Sequence, residues 1–281
     1  MDSAPFGRLR IHYRTFGGGA PLLLVHGLMT SGYSWRYVLE GLGERYTVIA
    51  PDLPGCGRSD APLDRSFRAG ALATWIGEFQ ETVGISGCGA VGNSLGGYLC
   101  MRRALDAPGS FERLVNIHSP ASPDARLRAL HATLTVPGVA SALAWYVRRS
   151  PERWAHRNVH YYDETLKSRE ESREYGHPLA THAGARIFVH WLRDTLAPAD
   201  LAGFLAELEQ RRDRGEPFPV PLLLLYASQD PIVPPAAGHV IQELVPEARL
   251  EWLEHSSHFA QVDSPDQVVR TLLDFLAQSE L

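Results

Sequence analysis

The chain has 281 residues, of which 44% are hydrophobic and 21% are charged, with a formal net charge of −5 at neutral pH. This length allows one large domain or a core with a smaller accessory unit, and the composition is that of an ordinary globular protein. The charge balance gives no indication of the basic surface that a nucleic-acid-binding protein needs. Three cysteines provide neither a disulfide framework nor the ligand spacing of a zinc site.

The N-terminus and the lengths of the apolar runs indicate where the protein acts. Asp2 comes early, and no apolar stretch near it is long enough for a signal peptide. The longest apolar run, 220–227, is much shorter than a membrane span. We therefore expect a cytoplasmic monomer or homodimer that binds a small-molecule substrate and has neither a nucleic-acid nor a membrane partner.

Short apolar runs alternate with helical patterns along most of the chain. The predicted strands, in chain order, are 8–14, 21–27, 47–50, 89–92, 114–117, 222–227 and 250–253. The predicted helices between and after them are 34–42, 69–83, 95–105 and a last helix that begins at Ser264-Pro265. This alternation predicts an α/β fold with a mostly parallel central sheet and helices on both faces.

One segment, 121–216, lacks any convincing strand and is rich in helix-forming, arginine and aromatic residues. It begins near Pro120 and ends near Pro217. We interpret it as a helical insertion into a core formed by residues 1–120 and 217–281.

The strongest chemical signal is Gly92-Asn93-Ser94-Leu95-Gly96, a G-x-S-x-G motif between a short strand and a helical pattern. In that context the serine lies on a tight strand-to-helix turn at the carboxyl edge of the sheet, where open α/β sheets place their sites. The overlapping G-x-G-x-x-G over 87–92 lies before and within the strand, so it does not fit a dinucleotide fingerprint. Ser94 is the predicted nucleophile.

A serine nucleophile needs a histidine base and an acid that orients the histidine. Asp230 follows the strand 222–227 and is the predicted acid, with Asp124 as the alternative. His258 lies deeper in its loop than His255 and is the predicted base. A metal pair formed by His255 and His258 lacks further ligands, so we expect no metal and no cofactor.

The remaining site predictions concern main-chain donors and pocket walls. The backbone N–H groups of Leu28 and Leu95 are the predicted oxyanion donors, and His26 is interpreted as a structural histidine. The predicted apolar pocket is lined by aromatic side chains, for which the candidates are Tyr33, Trp35, Trp145, Trp154, Phe188, Trp191 and Phe259.

Together these features resemble the α/β-hydrolase family, and specifically its lidded members. The matching segments are His26-Gly27, 51–59, 92–97, 230–234 and His258-Phe259, in the order typical of the family. The resemblance implies that 121–216 is a helical cap, or lid, that selects the substrate in a pocket between cap and core.

Departures from related families narrow the expected activity. Epoxide hydrolases and dehalogenases are similar around 51–59 and Trp35 but use an aspartate nucleophile, which Ser94 argues against. Carbon–carbon bond hydrolases share the Gly-Asn-Ser pattern, but they usually carry a glycine-rich oxyanion loop, where this chain has Leu28-Met29-Thr30-Ser31.

We therefore expect a serine hydrolase that cleaves a carboxylic ester of a small or medium apolar substrate through an acyl-enzyme. Three alternatives stay open: cleavage of a carbon–carbon bond in a diketone, a non-hydrolytic acyltransferase or cyclase, and a ligand-binding receptor or scaffold.

Overall fold

A computed structural model describes residues 1–278. Its strands are β1 (Asp2–Ser3), β2 (Gly7–Arg8), β3 (Tyr13–Gly17), β4 (Ala20–Val25), β5 (Tyr46–Pro51), β6 (Gly89–Asn93), β7 (Leu114–Ile117), β8 (Leu222–Ala227) and β9 (Arg249–Leu253). Its α-helices are α1 (Leu39–Gly43), α2 (Ala69–Val83), α3 (Leu95–Asp106), α4 (Ala125–Thr135), α5 (Val139–Arg149), α6 (Pro151–Asn158), α7 (Arg169–Leu179), α8 (His182–His190), α9 (Pro198–Asp213), α10 (Ala236–Leu244), α11 (Ala260–Asp263) and α12 (Pro265–Leu276).

Seven strands form the central sheet in the order β3-β5-β4-β6-β7-β8-β9, while β1 and β2 form a separate hairpin. Only β3 runs antiparallel, against β5, and all other neighbours pair in parallel. All six residues of β8 are buried, which is why that strand reads as a continuous apolar run rather than an alternating one.

Each face of the sheet is covered by its own helices. On one face, α2, α3 and α10 contribute apolar side chains such as Trp75, Leu99 and Ile241 to the larger core cluster. On the other face, Trp35 and the α12 residues Leu272 and Phe275 cover the sheet. The fold class predicted from the sequence is therefore confirmed.

Two local predictions near the N-terminus need correction. The strand expected over 8–14 is interrupted, because the backbone N–H of Arg10 donates to the Asp60 carboxylate and that of His12 donates to Ser59 Oγ. The helix expected over 34–42 is a 3₁₀ turn at Gly32–Trp35 followed by the short helix α1.

The helices α4–α9 all lie between β7 and β8, and we call residues 125–213 the helical segment. Four pairs of charged side chains join this segment to the core: Arg36–Glu171 at 2.8 Å, Arg58–Glu174 at 3.2 Å, Arg68–Asp200 at 2.7 Å and Arg102–Glu207 at 3.0 Å. Within residues 1–278 no single helix is long and apolar enough to cross a membrane, although α4 and α5, bent by 100° at their junction, pass that test together.

Candidate active site

Ser94 occupies the turn between β6 and α3 with a backbone φ of 54° and ψ of −122°. Few non-glycine residues adopt a positive φ, and such strain recurs at functional sites. The flanking glycines make the turn possible because the backbone passes very close to its neighbours. A Cβ at Gly92 would lie 2.4 Å from the Gly97 nitrogen, and one at Gly96 would lie 2.2 Å from the Val25 oxygen.

Hydrogen bonds to the end of the neighbouring strand β7 and to the loop that follows it hold this turn in place. The Ser94 N–H donates to the carbonyl of Ile117 at 2.7 Å, and Ser119 Oγ donates to the carbonyl of Ser94 at 2.9 Å. The strained turn is thus fixed from both sides of the serine, and the Ser94 side chain stays partly exposed while its neighbours Asn93 and Leu95 are buried.

The predicted acid and base lie together in the structure. His258 Nδ1 is 2.7 Å from Asp230 Oδ2, and both residues are buried. The other carboxylate oxygen of Asp230 accepts hydrogen bonds from the backbone N–H groups of Ile232 at 2.7 Å and Val233 at 2.9 Å. Because Asp230 Oδ2 acts as the acceptor, Nδ1 of His258 carries the proton and Nε2 is left available as a base.

The surroundings of Asp230 keep it ionised. Burial alone would raise the pKa of this carboxyl group, but the charge of His258, its hydrogen bond and the Val233 N–H outweigh burial, so the pKa of Asp230 is lowered. The alternative acid, Asp124, instead caps α4 by accepting a hydrogen bond from the Leu127 N–H at 2.7 Å. His255 is exposed and packs against the ring of Tyr162.

Sequence reasoning missed one buried polar residue beside this pair, His118. Its Nδ1 lies 3.7 Å from Asp230 Oδ2 and 3.3 Å from the carbonyl oxygen of His258. Burial lowers the pKa of His118 to about 3, against the opposing attraction of Asp230, so the ring is neutral near pH 7. The available signal was its position directly after the strand 114–117, the same kind of position that singled out Asp230.

Nitrogen and oxygen atoms of His118, Asp230 and His258 lie within 4.8 Å of one another, as metal ligands would. Two ligands bound to zinc at 2.0–2.1 Å lie roughly 3.3 Å apart in a tetrahedral site. The 2.7 Å between His258 Nδ1 and Asp230 Oδ2 is instead a hydrogen-bond distance. His258 and Asp230 are therefore spaced as a hydrogen-bonded pair and not as two ligands of one ion.

The loop after β4 packs directly beside the serine. A Cβ at Gly27 would lie 3.0 Å from the Ser94 Cβ, so glycine permits this approach. His26 is fully buried and satisfied, since Nδ1 bonds the carbonyl of Gly27 at 2.8 Å and Nε2 accepts from the Leu53 N–H at 3.0 Å. Both Leu28 and Leu95, the predicted sources of oxyanion donors, line the cavity described next.

A cavity of about 750 Å³ opens between the sheet edge and the helical segment, with Ser94 and His258 on its wall. Its other polar wall residues are few, and Arg126, Asn158 and His160 are among them. Most of the wall is apolar, and it includes Leu28, Met29, Leu127, Leu130, Leu143, Trp154, Phe188, Leu192, Ile232, Val233, Val240 and Phe259.

Three of the seven predicted aromatic wall residues, Trp154, Phe188 and Phe259, line this cavity. The other four do not, and the prediction is corrected for them. Trp35 and Trp191 are fully buried in the two core clusters. Burial of their large apolar side chains in the core is favoured over a position on the cavity wall. The remaining two are Tyr33, whose hydroxyl donates to Glu170 Oε1, and Trp145, which is 53% exposed beneath the Arg149 guanidinium.

Several known proteins are similar to this chain in sequence or in fold. A soluble epoxide hydrolase from a Corynebacterium species is 41% identical over 105 residues, which cover 37% of this chain and 36% of that protein. A pimeloyl-[acyl-carrier protein] methyl ester esterase from Aeromonas hydrophila is 27% identical, over 95% of this chain and 100% of that protein. The meta-cleavage product hydrolase from Pseudomonas fluorescens IP01 superposes with a TM-score of 0.71 at 20% identity, covering 95% of this chain and 94% of that one.

A family model describing the alpha/beta hydrolase fold matches residues 20–265. The match runs from β4 to the first residue of α12 and includes the serine turn, Asp230 and His258. The chain therefore belongs to the α/β-hydrolase family.

Proposed function

We propose that this α/β hydrolase is a serine hydrolase that cleaves carboxylic esters of small or medium apolar substrates through an acyl-enzyme on Ser94. The observation that carries the proposal is the strained serine turn beside the cavity, combined with a histidine of the same wall whose Nδ1 is 2.7 Å from a buried aspartate. An ionised acid, a correctly protonated imidazole and a partly exposed serine are what acyl transfer by this mechanism requires.

Each residue has a defined role in the proposed reaction. His258 takes the Ser94 proton as the hydroxyl attacks the ester carbonyl, and the backbone N–H groups of Leu28 and Leu95 receive the developing oxyanion. Transfer of that proton to the alcohol releases the first product. His258 then activates a water molecule that frees the acid, while Asp230 stays ionised and keeps the imidazole oriented. In this proposal residues 121–216 act as the lid over the pocket.

The cavity supports an apolar substrate of modest size. Its volume of about 750 Å³ lies within the range of small-molecule sites, and its walls are mainly aliphatic and aromatic. Phe259 packs perpendicular to the His258 ring at 5.2 Å between centroids, which brings an apolar surface next to the reacting atoms. An acyl chain or an aromatic alcohol therefore fits better than a multiply charged ligand.

Turnover of p-nitrophenyl esters of increasing acyl length tests this proposal, with Ser94→Ala and Asp230→Asn measured beside the wild type. We expect hydrolysis by the wild type, and a loss on the order of 10⁴-fold or more in either variant. Asp230→Asn preserves shape but favours the wrong imidazole tautomer, so its loss separates the triad from simple packing. Asp124→Asn serves as the matched control, because that residue is an aspartate on the same cavity wall but caps a helix.

Three other reactions and a binding role are distinguished by the same set of proteins. Carbon–carbon cleavage, as the name of the meta-cleavage relative indicates for that protein, would bleach a yellow dienol diketone without hydrolysing the esters. An acyltransferase would pass the acyl group to an added alcohol faster than to water. A soluble epoxide hydrolase is among the relatives, and epoxide opening that survives in Ser94→Ala would overturn the serine mechanism. A binding protein would turn over none of these substrates.

A further inference from the structure

His118 is a buried, titratable residue that the proposed reaction does not use. It follows β7 directly, is 0% exposed, and adopts a φ of 55°, one of four non-glycine residues among 1–278 with positive φ. Its ring stacks beside that of His258, with 6.0 Å between centroids and 20° between planes. A strained backbone and a buried polar ring so close to the site call for a physical reason.

The atoms that face His118 decide which of its nitrogens carries the proton. Nδ1 points at two oxygens, the His258 carbonyl at 3.3 Å and Asp230 Oδ2 at 3.7 Å. A lone pair on Nδ1 would be repelled by both, whereas an N–H there donates to the carbonyl and is attracted by the carboxylate. Nε2 has no hydrogen-bond partner among residues 1–278, and a buried unpaired acceptor is tolerated better than a buried unpaired donor.

The His258 carbonyl receives a second donor from the residue that precedes the serine. Asn93 Nδ2 donates to this oxygen at 3.1 Å and is itself fully buried. Donors from the ends of β6 and β7 therefore converge on the backbone carbonyl of His258. The imidazole of His258 can turn only within the limits set by this backbone and by its bond to Asp230.

We propose that His118 is a positioning residue, whose Nδ1–H donates to the His258 carbonyl and, together with Asn93, holds His258 in register with Asp230. This inference rests on the proposed serine mechanism and adds to it a fourth residue. The N–H dipole also faces the Asp230 carboxylate, so it offsets part of the negative charge that stabilises protonated His258. The titratable groups that face His118 are Asp230 and His258, together with the ring of Tyr226 at 5.6 Å.

Three substitutions separate the donor from the space that the ring fills. His118→Asn keeps a donor near the Nδ1 position and tolerates positive φ. His118→Leu keeps volume without a donor, and His118→Gly removes the donor without backbone strain. His255→Leu is the matched control. His255 is an exposed histidine with a φ of 50°, so leucine at that position would meet the same backbone strain.

The first readout is inactivation by a fluorophosphonate, in which Ser94 Oγ bonds phosphorus and fluoride leaves, measured as kinact and KI across pH. We expect His118→Asn within about threefold of wild-type kinact. In His118→Leu and His118→Gly we expect kinact to fall at least about tenfold with KI within twofold, and the acid limb of the profile to move to higher pH. The proposal would be refuted if His118→Leu and His118→Gly kept the wild-type kinact and acid limb, or if all three variants lost kinact equally. In either case His118 would contribute only packing.

The second readout does not depend on activity. Long-range proton–nitrogen spectra of the protein labelled with ¹⁵N-histidine report the tautomer of each ring, and the His118 signals are assigned by their loss in His118→Asn. The Nδ1–H tautomer at pH 7 is the expected result, and an Nε2–H tautomer overturns the proposal. If the wild type resists the fluorophosphonate, the serine mechanism fails while this spectrum still decides the role of His118.

Discussion

The joint between the helical segment and the core depends on a buried ion pair whose removal has a calculable cost. Glu171 Oε1 accepts from Arg36 Nη2 at 2.8 Å and from the Tyr161 hydroxyl. The side chains of Arg36 and Glu171 are 16% and 3% exposed, and the guanidinium lies over the Tyr33 and Tyr37 rings at 4.4 and 4.3 Å. Glu171→Gln leaves the guanidinium without its counter-charge in a site where little water can replace it.

Breaking a buried ion pair by removing one partner costs about 3–5 kcal/mol. Glutamine retains a carbonyl acceptor and Arg36 is partly exposed, so we take the lower end, about 3 kcal/mol. For a chain of this size each kcal/mol corresponds to about 2–4 °C in Tm. Glu171→Gln should therefore lower Tm by about 6–12 °C.

Differential scanning calorimetry measures this loss, with Glu174→Gln as the matched control. Glu174 lies on the same helix and pairs with Arg58 at 3.2 Å, but the arginine is 57% exposed, so the cost is at most about 1 kcal/mol. Equal Tm shifts in the two variants would refute burial as the source of the energy. The double variant Arg36→Met/Glu171→Met should recover most of the lost stability, because it leaves no uncompensated charge.

Three further outcomes follow from the described contacts. Ser94→Gly should melt about 2–4 °C above Ser94→Ala in a thermal-shift assay, because only glycine relieves the strain of φ 54°, and an equal Tm would show no stored strain. Phe188→Ala should extend turnover to longer acyl chains, whereas Trp191→Ala should lower Tm without changing chain preference; ester panels and melting curves distinguish the two. Because the folded-state pKa of His118, about 3, lies below its ordinary value of 6.5, the unfolded chain binds the extra proton between these pH values, and this group's contribution to stability falls as pH falls. The free energy of unfolding, measured with urea from pH 6.5 to 4.5, should depend less steeply on pH in His118→Asn than in the wild type, by the equivalent of up to one proton. An unchanged dependence on pH would contradict the lowered pKa of His118.

The sheet and its helices were predictable because their signals are local. The buried run of β8 has no charged residue, and α2 occupies the predicted span 69–83. The edge near β3 was not predictable to the same degree, since its backbone donors are used by Asp60 and Ser59, which are distant in sequence. Long-range side-chain contacts of this kind leave no periodic trace.

The chemistry of the site was more accessible to sequence reasoning than its walls. A strand-to-helix turn with glycines at both ends constrains the backbone so tightly that Ser94 could be singled out. Which aromatic residues face the cavity depends instead on the rotation of each helix in the helical segment. Helix α5 turns Ala144 and Val147 inward, which leaves Trp145 on the surface, while α6 turns Trp154 toward Phe188.

The order of strands in the sheet explains why β7 supports both Ser94 and Asp230 of the proposed triad. Strand β7 lies between β6, which leads to Ser94, and β8, which leads to Asp230. The residues that follow β7 therefore contact both neighbours: Ser119 donates to the Ser94 carbonyl, and His118 faces Asp230. A residue after β7 can couple the positions of the proposed nucleophile and the proposed acid without touching substrate. Substitutions over 116–119 should accordingly disturb catalysis together, even where the cavity wall is unchanged.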